Sequence, residues 1–374
     1  MTCIFIPILL IAMMGYMGML IFFIRGIRKN IPLNATPNDL RERITVVVAF
    51  RNEAPNLPML LDDLAAQTLP AGHFDIILVN DHSSDLWQKT ITPRLLPNLT
   101  IVNATQTGKK GAIRQGCLMA KGNIIVTTDA DCRLQPRWLE SILQLIHHNR
   151  ADILIGPVEM LSNGSWMQNL QALDYRALQL CSAGAANMQH PIMCSGANLA
   201  FTAKAYHQLM HHINDTFLSG DDMFLLHAAK RHNMCIAFAN SPHAVVFTSA
   251  QPTLSSFIQQ RIRWASKSKA YTDRDTIIVA IMVLTTNVLM TALMLTTLCV
   301  PQIWLLTLGI MTIKAIFEWK LFSAGKLLFD RPALIQFLCV MAAHPLFTTA
   351  IASAGFVLNV TWKERRVQTK TPVR

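Results

Sequence analysis

Charge is what this chain has least of. Only 15% of its 374 residues are Asp, Glu, Lys or Arg, against about 25% in soluble domains. That scarcity, with 52% hydrophobic residues, excludes an ordinary water-soluble enzyme. Cysteine pairing is missing too. Cys3, Cys117, Cys132, Cys181, Cys194, Cys235, Cys299 and Cys339 show no CxxC spacing and no histidines at zinc-site intervals. They read as reduced thiols acting as small hydrophobes. No internal repeat and no low-complexity segment is visible. The net charge of +11 lacks the aromatic–basic interleaving of a nucleic-acid surface. Many of the cations flank apolar runs, where anionic lipid headgroups are the fitting partner. No nucleic acid is expected.

The hydrophobic excess sits at the two ends. Residues 4–24 carry no charge and are long enough to cross roughly 30 Å of hydrocarbon as a helix. Arg25, Arg28 and Lys29 follow this run and no cation precedes it, the reverse of a cleaved signal peptide. It therefore reads as an anchor with its C-terminal flank on the cytoplasmic side. Residues 276–300 form a second clear span. Residues 303–317 form a weaker one, interrupted near its end by Lys314 and Glu318. Residues 332–360 are long enough to span, but His344-Pro345 leaves a kink, a break or a helical hairpin open. Three C-terminal spans would place Lys363, Arg365, Arg366 and Lys370 outside, against the positive-inside tendency. A fourth crossing or a re-entrant piece near His344 would return them to the cytoplasm.

The middle is soluble in character and alternates short β runs with helical stretches. Strands are expected over 44–50, 74–80, 99–102, 123–128 and 152–155, and helices over 54–67, 111–121 and 136–148. Repeated strand–helix–strand units imply an α/β fold, a doubly wound, mostly parallel sheet with helices on both faces. Ligands in such sheets bind outside the C-terminal strand ends. Three polar clusters fall there: Arg51-Asn52-Glu53, Asp81, and Asp129-Ala130-Asp131.

Each station has a chemical reading and a plain one. Asp129 and Asp131 are two residues apart, so on extended backbone both face one ligand, and oxygen-only ligation suits Mg²⁺ or Mn²⁺. A lone DxD is otherwise a solvated turn, and its place at the end of a buried strand favours the metal. Asp81 can accept from a base or ribose, though its Asn and Ser neighbours also suit a turn. Lys109-Lys110-Gly111 precedes a helix start, where cations and free amides meet an anion. A solvated loop fits equally. Asp221 and Asp222 precede an apolar helical run, favourable for the helix dipole alone, or Asp222 is a general base. Gln260, Arg263 and Trp264 share one helical face at i, i+3, i+4; Arg can clamp a diphosphate and Trp can support a sugar ring. Arg261, Lys267 and Lys269 fit an interfacial helix, with a plain juxtamembrane basic helix as the competing explanation. The doublets His147-His148 and His211-His212 diverge by about 100° on a helix and read as surface residues.

The ordered set Asp81, Asp129-Ala130-Asp131, Ser219-Gly220-Asp221-Asp222 and Gln260-Arg261-Ile262-Arg263-Trp264 resembles the membrane-integrated family-2 glycosyltransferases. These include cellulose, chitin and hyaluronan synthases and ceramide glucosyltransferases. The likeness spans roughly residues 43–266. It implies an inverting GT-A domain that uses a nucleotide-activated sugar, with a UDP-sugar as the expected donor, and Mg²⁺ or Mn²⁺. By resemblance Asp222 is the catalytic base and Asp131 the metal ligand. Asn52, Glu53, Asp81, Lys110, Asp129, Gln260 and Arg263 bind the donor, and Ser195, Gly196, Asp221 and Trp264 face the acceptor. The Asp221-Asp222 pair departs from the family's frequent Glu-Asp, and the membrane part is smaller than in long-chain polysaccharide synthases.

The expected division is an anchor at 1–24, a linker at 25–42, a GT-A domain at 43–250, an interfacial region at 251–275, a transmembrane bundle at 276–362 and a basic tail at 363–374. The expected protein is integral to the plasma (inner) membrane, with the catalytic domain cytoplasmic and a lipid or glycan as acceptor. A processive polysaccharide synthase is the alternative within this chemistry. A nucleotide-binding transporter or scaffold and a nucleotidyltransferase are the alternatives outside it. Sparse intramembrane charge argues against an ion path, and a nucleotidyltransferase has no need of the Gln260/Arg263/Trp264 face.

Overall fold

The structure, a computed structural model, describes residues 2–29, 42–94, 96–212, 220–357, 361–362 and 365–366. Up to Ser249 its strands are β1 (Ile44–Phe50), β2 (Phe74–Asn80), β3 (Leu99–Asn103), β4 (Ile124–Thr127), β5 (Ile153–Ile155), β6 (Val158–Leu161), β7 (Leu199–Thr202), β8 (Ile236–Phe238) and β9 (Val246–Ser249). The helices begin with α1 (Thr2–Arg28), α2 (Leu57–Ala65), α3 (Trp87–Ile91), α4 (Lys109–Met119), α5 (Trp138–Asn149) and α6 (Trp166–Asn187). They continue with α7 (Ala203–Leu209), α8 (Asp221–Arg231), α9 (Leu254–Lys267), α10 (Arg274–Cys299), α11 (Trp304–Ala324) and α12 (Leu334–Val357). Two compact units divide them.

The first unit holds the described residues of Ile31–Leu161 and Met193–Ser249. Its core is a seven-stranded sheet in the order β3-β2-β1-β4-β7-β5-β8. β1 is buried at all seven positions, as a continuous apolar run covered on both faces should be. It pairs in parallel with β2 and β4, and β2 with β3, so the four strand ends reach one rim. α4 lies close on this sheet because Gly116 has no side chain; a Cβ there would crowd Val79 at 3.1 Å. The sheet is therefore the expected doubly wound, mostly parallel one, with one exception. β7 runs antiparallel to both β4 and β5, and its four residues were too short a run to stand out in the sequence. β6 and β9 form a separate parallel pair.

The second unit holds the described residues of Met1–Asn30, Ser162–Ile192 and Ala250–Val367. Three of its helices are long and apolar enough to cross a membrane, spanning Phe5–Arg28, Arg274–Cys299 and Leu334–Val357. α12 continues through Pro345 as one helix, so the break or hairpin left open near His344 does not occur. α11 extends the weak span to Ala324 and buries the Lys314–Glu318 ion pair at 2.6 Å, while the Tyr16 hydroxyl donates to Glu318 at 2.6 Å. α1 stays helical to Arg28, beyond the expected anchor. α6, which lies inside the contiguous 43–250 stretch, groups with these helices instead. Small residues explain it: a Cβ on Gly184 would meet the Phe23 backbone at 2.7 Å, and the Asn187 side-chain amide donates to the Gly26 carbonyl at 3.1 Å. Most of the linker, Ser219 and most of the basic tail lie outside the described residues.

Candidate active site at the sheet rim

Backbone and side-chain hydrogen bonds tie the loops after β1 and β2 together. The Asn52 side-chain oxygen accepts from the Ser84 amide at 2.8 Å, and the Asn52 amide donates to the Ser83 hydroxyl at 3.0 Å. Asn52 and His82 both have φ of 55°, a left-handed conformation that Asn tolerates and that bulkier residues hold only when their surroundings impose it. Asp81 is 2% exposed. One of its oxygens accepts from the Gly108 amide at 2.8 Å, so it fixes the turn from which α4 starts. Gly108 adopts φ 108° there, which a side chain would resist.

Lys109 opens α4 and donates a hydrogen bond to Asp129, just beyond β4. Burial opposes the lysine's charge, but Asp129, Asp221 and Asp222 outweigh it and hold its pKa above the ordinary lysine value. One ammonium therefore links the DxD carboxylates to the acidic pair at the start of α8. Lys110, the expected donor contact, lines the same concavity as Lys109. Lys109, which was not proposed as a site residue, adds the hydrogen bond to Asp129.

Asp131 is not on extended strand, as the i, i+2 argument assumed. β4 ends at Thr127, and the Cys132 amide donates to the Asp129 carbonyl at 3.1 Å, so the two acids share a turn. They still act on one another. Asp131 reaches solvent, yet the surrounding protein desolvates it, and with Asp129 and Glu53 this pushes its carboxyl up to about 6 from 3.8. Glu53 itself accepts from the Asn56 side chain at 2.6 Å. Negative charge from Asp129 and Glu53 gathered beside Asp131 makes a site that favours a hard cation. Among the described residues no group of three or more His, Cys, Asp or Glu forms a ready cation cage. The set thus fits Mg²⁺ or Mn²⁺ only if a ligand such as a diphosphate completes the shell.

On the other side of Lys109, both Asp222 oxygens are held by backbone. Oδ2 accepts from the Gly196 amide at 3.1 Å and Oδ1 from the Met223 amide at 2.8 Å. The Cys194 thiol donates to the Asp222 carbonyl at 3.2 Å, and burial, then Asp222 and Asp221, push that thiol well up. Ser195 accepts from the Ala197 amide at 3.3 Å within the same loop. Asn198 anchors the loop. Its oxygen accepts from the Trp138 indole at 3.1 Å, and its amide donates to the carbonyls of Pro157 at 2.7 Å and Ala244 at 2.8 Å. A solvent-open concavity of about 590 Å³ is bounded by Lys109, Lys110, Arg114, Tyr206, Asp221 and Asp222, among others. Arg114 and Tyr206 were not singled out from sequence.

Gln260, Arg263 and Trp264 stand on α9, in the helical unit, each half-buried. Arg261 corrects an expectation. It is no interfacial cation but is buried against Asp174, at 2.6 Å, and over the Trp264 ring, at 4.5 Å. A carboxylate and an aromatic face replace part of what water would otherwise supply. The seven cysteines that can be assessed are all free thiols.

A GT-A-like sheet with an acidic turn and a helix-borne acidic pair at its rim is the scaffold of a nucleotide-sugar-using class. Residues 41–267 match the family described as Glycosyltransferase like family 2. The chain belongs to that family. Among its relatives, the glycosyltransferase AglE of Haloferax volcanii is 28% identical over 120 residues, 31% of this chain and 39% of that protein. The undecaprenyl-phosphate 4-deoxy-4-formamido-L-arabinose transferase of Yersinia pestis is 32% identical over 115 residues, 29% of this chain and 34% of that protein. The chain thus spans little more than a third of the length of these curated relatives. The mannosyltransferase PcManGT of Pyrobaculum calidifontis, solved in complex with GDP-Man and Mn²⁺, shares the fold. Its TM-score is 0.58 at 19% identity, covering 92% of this chain and 99% of that one.

Proposed function

We propose that this protein is a membrane-anchored inverting glycosyltransferase that moves a sugar from a nucleotide-sugar donor to a lipid acceptor at the cytoplasmic face. The observation that carries this reading is the place of Lys109, which is hydrogen-bonded to Asp129 and lines one concavity with Asp221 and Asp222. A charged leaving group and a base are thereby served by one rim. The family supports the reaction type, and the relative named for undecaprenyl phosphate supports a lipid acceptor.

In the proposed reaction the acceptor is a lipid alcohol, and Asp222, pinned by the Gly196 and Met223 amides, takes the proton from its hydroxyl; a lipid phosphate, already ionised at neutral pH, would attack without that step. The oxygen then displaces the diphosphate at the anomeric carbon with inversion. Lys109 and Lys110 bind the departing diphosphate, and the family resemblance assigns Gln260 and Arg263 of α9 to the donor and Trp264 to the acceptor. Asn52, Glu53 and Asp81 shape the donor pocket. Asp131, with Asp129, would hold Mg²⁺ or Mn²⁺, which when bound supplies charge neutralisation at the diphosphate.

The test is a donor screen with purified protein in lipid, UDP- and GDP-sugars included, scoring nucleoside diphosphate release with and without lipid acceptors. Acceptor-stimulated release that depends on a divalent cation is the expected result. Release of pyrophosphate would identify a nucleotidyltransferase instead, and a long polymer by mass spectrometry would identify a processive synthase. Binding without turnover would leave a scaffold or transporter.

A further inference from the structure

α6 and α9 meet at a charged centre that the chemistry above does not use. Arg261 is 5% exposed. Its guanidinium carbon lies 4.5 Å from the Trp264 ring centroid, 5.0 Å from Phe257 and 5.9 Å from Tyr175. Asp174 of α6 approaches one terminal nitrogen at 2.6 Å. The Tyr175 and Trp264 rings stand 5.7 Å apart. The Arg261 Nε and Nη1 atoms are buried without a hydrogen-bond partner.

A guanidinium taken out of water with most of its donors unmet is a poor way to fill space. An apolar side chain of the same volume generally stabilises as well or better. What the cation adds is geometry. A planar, delocalised charge stacks on a ring face and resists its rotation, as a lysine point charge does not. Here the guanidinium carbon lies over the Trp264 ring, and Asp174 pairs with it from the neighbouring helix.

We infer that Arg261, held by Asp174, is a positioning residue that sets the plane of Trp264 for acceptor binding. The inference rests on the proposed role of Trp264 and extends it to two residues outside that proposed contact set. Neither Arg261 nor Asp174 touches substrate in this account. Both act through the tryptophan.

The experiment uses the full chain in lipid nanodiscs, labelled with 5-fluorotryptophan, with the Trp264 ¹⁹F resonance assigned by its loss in Trp264→Phe. Arg261→Lys keeps a charge for Asp174 but removes the plane. It should shift or broaden the Trp264 resonance and raise acceptor KM roughly five-fold or more, with donor KM unchanged within about two-fold. Should Arg261→Lys fold poorly, the paired change Arg261→Met with Asp174→Leu replaces the buried charges by apolar bulk. The same shift is expected of it. An unmoved Trp264 resonance with unchanged acceptor KM, even at a lowered melting temperature, would overturn the inference. If the wild-type chain transfers no sugar, the proposed function fails separately, and the ¹⁹F arm alone decides whether Arg261 orients the ring.

Discussion

Lys109 donates to Asp129 while Asp221 and Asp222 also act on its charge, so a single ammonium joins two acidic stations that are about ninety residues apart in sequence. A cation bound at the DxD turn has to compete with this lysine for Asp129. Lys109→Gln should therefore tighten Mn²⁺ binding in the absence of donor, by roughly ten-fold for one nearby charge removed, while sugar transfer falls. Electron paramagnetic resonance titration of free Mn²⁺ reads the first effect directly. Unchanged or weaker Mn²⁺ binding in the variant would show that lysine and metal do not share the site.

Asp131 carries a testable pH signature. Its folded-state carboxyl titrates at about 6, against 3.8 when unperturbed. Between those values the folded protein keeps a proton that the unfolded chain releases, so this group favours folding at low pH and loses that contribution as pH rises towards 6. In chelator-treated protein, thermal melts from pH 4 to 7 should show this slope for the wild type and a smaller one for Asp131→Asn. Equal slopes would contradict the assignment.

Asn198 satisfies three buried groups at once: the Trp138 indole and the carbonyls of Pro157 and Ala244. Asn198→Leu strands all three. At about 1–3 kcal/mol for each stranded group, the sheet unit should lose several kcal/mol of stability. Denaturant unfolding followed by tryptophan fluorescence measures it, and a loss under about 1 kcal/mol would mean the loop is held elsewhere.

In the helical unit, Lys314→Met removes the cation paired with buried Glu318 and leaves it the Tyr16 hydroxyl as a hydrogen-bond donor. Stranding one partner of a buried pair costs about 3–5 kcal/mol. The paired change Lys314→Met with Glu318→Leu should recover most of that loss. Thermal unfolding in detergent compares the two, and a single variant as stable as the double would show the pair to be inert.

The sheet was legible because its strands are unambiguous. The apolar run of β1, the matching run of β2 and the Thr127 end of β4 each follow from β-branched composition, and their parallel order places Asn52, Asp81 and Asp129 at one rim. What could not be read was local geometry. The turn at Asp129–Cys132 and the place of Lys109 as first residue of α4 depend on where a strand stops or a helix starts to within one residue. The grouping of α6 with the apolar helices depends on Gly184 meeting Phe23, far away in sequence. Arg261 looked like a surface cation because its partner, Asp174, lies on another helix and carries no motif.

The most direct test of the account is Asp222→Asn, with donor binding and sugar transfer measured on the same preparation. The amide keeps an acceptor for the Met223 backbone but cannot take a proton. Donor affinity should stay within about two-fold, while transfer drops by roughly 10²–10⁴-fold, the usual worth of a positioned base. Near-wild-type transfer by this variant would contradict the assignment of the base, and with it the mechanism proposed for this site.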